Sequence, residues 1–301
     1  AQSPPRYASP PMPPGVKMFS ALLKDAGYYA TDNSKTDYNV EVEMKEVWDD
    51  TSKGATWRNR PDPGQPFFHM QSHAESHESS LHFDAKTYET EKTNHDPASV
   101  KLAPYHPDTP LFRYPHARYL DRQQVIDGIV ADTVAQLQED GVLEDTFIFY
   151  FGDHGGVMPR GKGYVYESGL HVPLVIRVPE NFKHLVEGTN LGDRVSGFVS
   201  FIDFGATALQ LAGVPLPQGI DGKPFLGAGV SLADVNQRDE AFGYANRMDE
   251  KYDFVRSLRK GRFQYIRSFE PWLPDGLNNN YRYKMLAYAE WRQLWKDGQL
   301  S

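Results

Sequence analysis

The hydrophobic and polar positions of the chain form short periodic segments. Apolar residues recur at helical spacing over residues 16–27, 116–141, 201–213 and 285–296, which predicts a helix in each segment. Apolar runs bounded by turn residues predict short strands at 28–31, 66–72, 147–151, 172–178, 241–245, 253–258 and 263–267. Because strands and helices alternate over most of the chain, we predict an α/β fold with a mostly parallel sheet sandwiched by helices.

The pattern changes near residue 236. After this point short strands follow one another directly, and the turn Arg259–Arg262 joins the last two as a hairpin. We therefore predict an α/β domain over residues 1–235 and a small antiparallel α+β subdomain over residues 236–301. Residues 84–115 are polar and contain prolines, which predicts a long surface excursion within the first domain.

Bulk composition excludes several classes of protein. The 301 residues carry a formal net charge of −8, which argues against general binding to nucleic acid. No run approaches the ~18 apolar residues that span a bilayer, so we expect no membrane span. No secretory signal peptide is recognisable, and the absence of cysteine excludes disulfides.

The most informative polar segment follows the apolar run 147–151, which ends in Asp153, His154 and two glycines. A strand that ends in this way presents polar groups at the carboxyl edge of a sheet, where open α/β folds bind ligands. A carboxylate and an imidazole can both ligate a divalent metal, and the nearby Arg160 and Lys162 suit a tetrahedral oxyanion. Together these side chains predict a site for a charged ester, although each pair alone is more typical of a solvated turn.

Two other segments add candidates. His73 and His77 follow the predicted strand 66–72, and a histidine at the end of a strand can protonate a leaving oxygen. Lys35 lies in the polar turn 32–39 and would be unremarkable by itself.

The order of these segments resembles the sulfatase family of the alkaline phosphatase superfamily, most closely its heparan N-sulfatase-like branch and bacterial relatives. The resemblance covers nearly the whole chain. It is carried by Lys35-Thr-Asp37, Ser76-His77-Glu78, Gly152-Asp-His-Gly155, Arg160-Gly-Lys162, Tyr166-Glu-Ser-Gly-Leu-His-Val-Pro-Leu174 and the helix that begins at Phe201. Gly205 stands where the family usually has proline, and Asp37 where it usually has histidine.

The resemblance implies a role for each candidate. Asp153 and His154 would be two ligands of a divalent metal, usually calcium in this family. Lys162 would bind the sulfate and stabilise its developing charge, and Lys35 would be a catalytic lysine that contacts a sulfate oxygen and the nucleophile. His77 would be the general acid at the leaving oxygen. Arg160 and His171 would face the substrate.

The nucleophile of the family is a formylglycine made from a Cys/Ser-x-Pro-x-Arg segment, and this sequence contains none. The paired aspartates that complete the metal site near the amino terminus of family members also have no counterpart. We therefore expect the formylglycine and the remaining metal ligands in an N-terminal segment, or a separate chain, that this sequence lacks. We expect the C-terminal subdomain to be truncated as well. The alternative is a degenerate, inactive relative.

The function implied for the parent protein is hydrolysis of a sulfuric ester or sulfamate, with a sulfated carbohydrate as the expected substrate. The family habit implies a periplasmic or extracellular location, and an oligomer is compatible with the sequence. Two other functions stay open. One is a phosphodiesterase or phosphonate monoester hydrolase of the same superfamily, and the other is a non-catalytic binder of sulfated glycans.

Overall fold

The computed structural model describes residues 9–186, 188, 190–248, 251–273 and 279–300. The helices are α1 (Phe19–Asp25), α2 (Met44–Val47), α3 (Ala85–Thr90), α4 (Pro110–Glu139), α5 (Glu167–Leu170), α6 (Ile202–Leu211), α7 (Leu232–Asn236) and α8 (Leu286–Lys296). The strands are β1 (Tyr29–Asn33), β2 (Phe67–Gln71), β3 (Ile148–Phe151), β4 (Leu174–Arg177), β5 (Glu240–Met248), β6 (Lys251–Lys260) and β7 (Phe263–Ser268). No described helix combines the length and hydropathy that crossing a membrane requires.

The chain groups into two compact units. The first unit comprises Ala1–Ser72, Val178–Phe242 and Leu258–Tyr265, and the second comprises His73–Arg177, Gly243–Ser257 and Ile266–Ser301. This grouping interleaves segments that are distant in sequence. The boundary at residues 235 and 236 that the sequence pattern suggests stays a prediction.

In the first unit, β1 and β2 pair in parallel, with Tyr29 opposite Phe67 and Asn33 opposite Gln71. Helix α1 packs against α6. Gly205 makes this packing close, because a Cβ at this position would lie 3.2 Å from Cδ1 of Phe19. A side chain smaller than proline is therefore favoured where the family usually has one. The parallel pair confirms the predicted strands and the predicted α/β class.

Helix α4 is the longest element of the second unit, and it begins six residues before the sequence pattern predicts. The hydroxyl of Thr109 accepts a hydrogen bond from the N–H of Phe112 at 3.1 Å, and Pro110 occupies the first helical position. The second proline, Pro115, is fully buried in the second turn and does not end the helix. The polar composition and the prolines of residues 84–115 predicted a surface excursion that ends at residue 115. The Thr109 cap instead starts helix α4 within that segment.

Strands β3 and β4 pair antiparallel, with Ile148 opposite Arg177 and Phe151 opposite Leu174. This pair is an antiparallel exception to the mostly parallel sheet that the sequence predicts. The intervening residues 152–173 contain only the four-residue helix α5. They return the chain to the end of β3 that it has just left, which is the geometry of an antiparallel pair. The loop between these strands carries most of the predicted site.

The core of the second unit lies beside that loop. Its buried members come from α4, from the loop and from the C-terminal region: Leu81, Phe112, Val157, Met158, Met285, Ala287 and Tyr288. The C-terminal strands form a three-stranded sheet in the order β5-β6-β7, and the predicted turn between the last two contains Gly261 in the left-handed region (φ 51°).

Candidate active site

The loop between β3 and β4 folds back on itself through main-chain hydrogen bonds. The N–H of Gly155 donates to the carbonyl of Gly169 at 2.9 Å, and the N–H of Lys162 donates to the carbonyl of Gly156 at 2.8 Å. Glycine is required at position 155, because a Cβ there would lie 1.8 Å from the carbonyl oxygen of Ser168. These contacts fix the backbone from which the Lys162 side chain projects.

The structure brings together Lys162 and His77, which lie 85 residues apart in sequence. Nζ of Lys162 and Nε2 of His77 are 3.5 Å apart. His77 stands at the start of a 3₁₀ helix, Glu78–Leu81, and its Nδ1 lies 2.9 Å from the Ser79 hydroxyl oxygen. The side chain of Lys162 is only 14% exposed, so its charge is partly shielded from water. An ammonium and an imidazole that meet in this way can bind an oxyanion and transfer a proton beside it.

Glu78 lies beneath Lys162. Its side chain is 1% exposed, and Oε2 lies 3.5 Å from Nζ of Lys162. Neither carboxylate oxygen has a hydrogen-bond donor among the described residues. Glu78 therefore acts on its surroundings mainly through its charge.

Arg282 approaches Lys162 from the C-terminal region. It is buried, its Nη2 donates to the main-chain carbonyl of Lys162, and its Nε lies 4.0 Å from Oε1 of Glu78. The guanidinium also covers the ring of Tyr164, with its carbon 4.9 Å from the ring centroid. Asn279 accepts a hydrogen bond from the N–H of Arg282 at 2.9 Å. Sequence reasoning missed Arg282, because a single arginine 120 residues from its partner carries no local signal.

His82 lies on the same side of the second unit, with its ring 4.6 Å from that of Tyr281 in an edge-on contact. Burial, and after it the charges of Lys284, His77 and Lys162, lowers the pKa of His82 to about 4. His82 is therefore neutral at neutral pH and adds no charge to the Lys162 region.

Asp153 and His154 lie at the start of the loop. Oδ1 of Asp153 is 3.5 Å from Nε2 of His154, and their side chains are 78% and 30% exposed. Nδ1 of His154 lies 2.8 Å from the carbonyl oxygen of Gly155, which can only accept, so Nδ1 carries a proton and the neutral ring has its lone pair on Nε2. This tautomer suits metal ligation. Within the described ranges, however, no group of three or more potential His, Cys, Asp or Glu ligands occurs.

The two predicted substrate contacts have other partners. The guanidinium carbon of Arg160 lies 4.5 and 4.0 Å from the ring centroids of Tyr105 and Tyr166. The backbone of Arg160 is left-handed (φ 68°), a conformation that is uncommon for a residue with a side chain. His171 is exposed, and its Nδ1 lies 2.9 Å from a carboxylate oxygen of Glu167.

Lys35 belongs to the first unit. Its Nζ lies 3.5 Å from Oδ1 of Asp37, and both side chains are more than half exposed. The turn that carries it is anchored at Asp32, which is fully buried and accepts a hydrogen bond from the Tyr38 hydroxyl at 2.9 Å. Trp48 donates in turn to the Tyr38 oxygen at 2.8 Å. Burial raises the pKa of Asp32.

Comparisons with known proteins agree on one family. Residues 6–214 match the family described as Sulfatase. The ulvan-active sulfatase of Formosa agariphila is 31% identical over 99% of this chain, which spans 53% of the length of that relative. Among solved structures, a 2-O GAG sulfatase has a TM-score of 0.63 at 14% identity and covers 99% of this chain and 76% of its own. A phosphonate monoester hydrolase from Silicibacter pomeroyi has a TM-score of 0.61 at 17% identity, over 97% of this chain and 82% of its own.

The two structural neighbours are too distant in sequence to indicate more than the fold, which is that of the alkaline phosphatase-like enzymes. The family match and the Formosa agariphila relative are stronger, because each covers most of the chain. The chain belongs to the sulfatase family.

Proposed function

We propose that the protein hydrolyses a sulfuric ester or sulfamate on a sulfated carbohydrate, with Lys162 as the group that binds the sulfate. The observation that carries the proposal is the 3.5 Å approach of Lys162 and His77. Family membership supports the reaction class, and the name of the ulvan-active relative supports a carbohydrate substrate.

In this proposal Lys162 donates hydrogen bonds to a sulfate oxygen. Negative charge on the departing ester oxygen grows as the S–O bond breaks, and a cation shielded from water stabilises developing charge more strongly than an exposed one. His77 donates a proton from Nε2 to that ester oxygen. The bond between sulfur and that oxygen breaks, and the alcohol leaves in neutral form. The family resemblance implies that a formylglycine hydrate would supply the attacking oxygen; over the whole reaction water replaces the alcohol on sulfur, and sulfate is released.

We propose that Asp153 and His154 are two ligands of a divalent metal, with calcium as the first expectation. The lone pair on Nε2 of His154 supports ligation. Two ligands do not suffice for calcium, which takes six to eight oxygen ligands, and the described residues provide no third carboxylate or imidazole at this point. The chemistry of the metal when bound would be to neutralise charge on the sulfate oxygens.

We propose that Lys35 is a third catalytic residue and that Arg160 and His171 contact the substrate. The exposure of Lys35 and His171 leaves their polar ends accessible to a ligand. Arg160 packs its guanidinium on the rings of Tyr105 and Tyr166, which supports a fixed position for a cation that suits an oxyanion. We also propose a periplasmic or extracellular location, in keeping with a polymeric sulfated substrate.

A phosphonate monoester hydrolase is the second candidate. It is favoured by a solved neighbour with that activity whose TM-score nearly equals that of the GAG sulfatase. Both reactions act on a tetrahedral anionic group, so Lys162 and His77 suit either of them.

The test uses the protein isolated from its natural host, so that any maturation of the nucleophile has occurred. Hydrolysis of 4-nitrophenyl sulfate and of 4-nitrophenyl phenylphosphonate is compared by kcat/KM, and mass spectrometry searches for formylglycine. We expect formylglycine and a kcat/KM at least about 100-fold higher for the sulfate. Preference for the phosphonate would favour the second candidate. Binding of sulfated glycans without formylglycine or turnover would make the protein a non-catalytic binder.

A further inference from the structure

The buried carboxylate of Glu78 has no part in the chemistry proposed above, yet it lies against the group that performs it. It is 1% exposed and has two cationic neighbours, Lys162 at 3.5 Å and Arg282 at 4.0 Å. A buried carboxylate without hydrogen-bond donors is costly, so its presence here needs a compensating interaction. The two cations provide that interaction.

The distances show how the carboxylate acts. A charge-assisted hydrogen bond between an ammonium and a carboxylate is about 2.7–2.9 Å long. Nζ of Lys162 lies 3.5 Å from Oε2 of Glu78, so the carboxylate attracts the ammonium without binding it tightly, and Nε2 of His77 lies at the same distance from the ammonium. Its N–H groups stay available for an incoming oxyanion.

Arg282 fixes the same lysine from the main chain. It donates to the carbonyl of Lys162, and its own position is set by Asn279 and by the ring of Tyr164. The backbone of Lys162 is thereby held by Arg282 and its ammonium by Glu78. Two cations and one carboxylate leave this cluster of Lys162, Arg282 and Glu78 with a net charge of +1.

We propose that Glu78 is a positioning residue for Lys162: with Arg282, it holds the lysine ammonium opposite His77 and limits the positive charge of the cluster. The inference rests on the proposed role of Lys162 as the sulfate ligand. It predicts that the position of the Lys162 ammonium and the positive charge of the cluster can be changed separately by mutation. Glu78 holds the ammonium in place, but it lowers the positive charge.

The main test replaces Glu78 by the isosteric glutamine. Glu78→Gln raises the charge of the cluster to +2, so we expect the affinity for inorganic sulfate to increase about threefold in calorimetric titrations. The lysine is no longer held opposite His77, so we expect kcat for 4-nitrophenyl sulfate to fall about 50-fold in the protein from its natural host. Glu91→Gln is the control: it removes a carboxylate that pairs with Arg118 elsewhere in the same unit, and it should change neither quantity.

Two further variants complete the test. Glu78→Gln combined with Arg282→Gln returns the cluster charge to +1, and sulfate affinity should return to the wild-type value while kcat stays low. If Glu78→Gln does not fold, Arg282→Lys serves instead: it keeps the charge, loses the planar fork, and should lower kcat about tenfold with unchanged sulfate affinity.

Parallel losses of sulfate affinity and kcat in Glu78→Gln would indicate a merely structural residue and overturn the inference, as would no change in either. For Arg282→Lys, an equal loss of both quantities would overturn it too. Failure of the proposed function looks different, because the wild-type protein would then neither bind sulfate nor hydrolyse sulfate esters.

Discussion

Two parts of the loop between β3 and β4 differ in how firmly the chain holds their functional groups. In the middle of the loop, the Lys162 region has a mostly buried lysine that is surrounded by His77, Glu78 and Arg282. At the start of the loop, Asp153 of the Asp153–His154 pair is 78% exposed, and the described residues add no third potential ligand. The comparison teaches that the chain surrounds Lys162, the proposed sulfate ligand, with its own residues, whereas the described residues give the proposed metal ligands Asp153 and His154 no third carboxylate or imidazole.

The largest effect is expected from removal of the Lys162 side chain. Lys162→Ala should lower kcat/KM for 4-nitrophenyl sulfate about 1,000-fold, because a buried charge that stabilises the transition state is lost. Lys162→Arg should retain part of the activity, since it keeps a cation. The assay is steady-state hydrolysis by protein from the natural host, and a loss of less than tenfold in the alanine variant would contradict the role assigned to Lys162.

The second largest effect is expected from a substitution that disrupts the loop carrying both the Lys162 region and the Asp153–His154 pair. A methyl group at position 155 would collide with the Ser168 carbonyl at 1.8 Å, so Gly155→Ala should lower the free energy of unfolding by about 3 kcal/mol. Gly156→Ala is a matched control, because its nearest neighbour would be 3.9 Å away, on the ring of Tyr119. Urea denaturation measures both. Equal stability of the two variants would show that the loop is not held as described.

A smaller effect is expected on the pH dependence of the free energy of unfolding, through His82 near the Lys162 region. The folded-state pKa of His82 is lowered to about 4, compared with about 6.5 in an unfolded chain. Between these values the unfolded chain binds a proton that the folded chain does not. Stability contributed by neutral His82 is therefore present above pH ~6.5 and is lost as pH falls toward 4.

His82→Gln should accordingly flatten the decline of the melting temperature between pH 6.5 and 4. His116, whose pKa burial also lowers to about 4, should behave in the same way when it is replaced by glutamine. Thermal melts at several pH values give the slopes. An unchanged slope in both variants would remove the buried neutral histidines from the account of acid stability.

The smallest effect is expected at the Asp153–His154 pair. Asp153→Asn should change the free energy of unfolding by less than about 0.5 kcal/mol, because its side chain is largely in water. A much larger loss of stability, measured by urea denaturation, would mean that this chain holds the Asp153–His154 pair as firmly as it holds Lys162.

Sequence reasoning was successful where chemistry and periodicity are local. The apolar run before Asp153 predicted β3, and the helical spacing near residue 202 predicted α6. The pairing of β3 with β4 was not predictable in its direction, because strand patterns do not record which way a loop returns. The start of α4 was obscured by prolines that the Thr109 cap accommodates.

The site was predictable only in part for a similar reason. Lys162 and His77 were identified by the residues around them, and the structure brings them together. Arg282 could not be identified, because its contact with Lys162 spans 120 residues and depends on the packing of the C-terminal region. Glu78 was visible in sequence beside His77, but its burial beneath Lys162 is a tertiary property.

The most direct test of the central claim is calorimetric titration of inorganic sulfate into this chain with all metal removed by a chelator. The account predicts one saturable site with a dissociation constant on the order of 1 mM, abolished in Lys162→Ala and unchanged in Asp153→Asn. Sulfate binding that needs added metal, disappears in Asp153→Asn and survives in Lys162→Ala would contradict it.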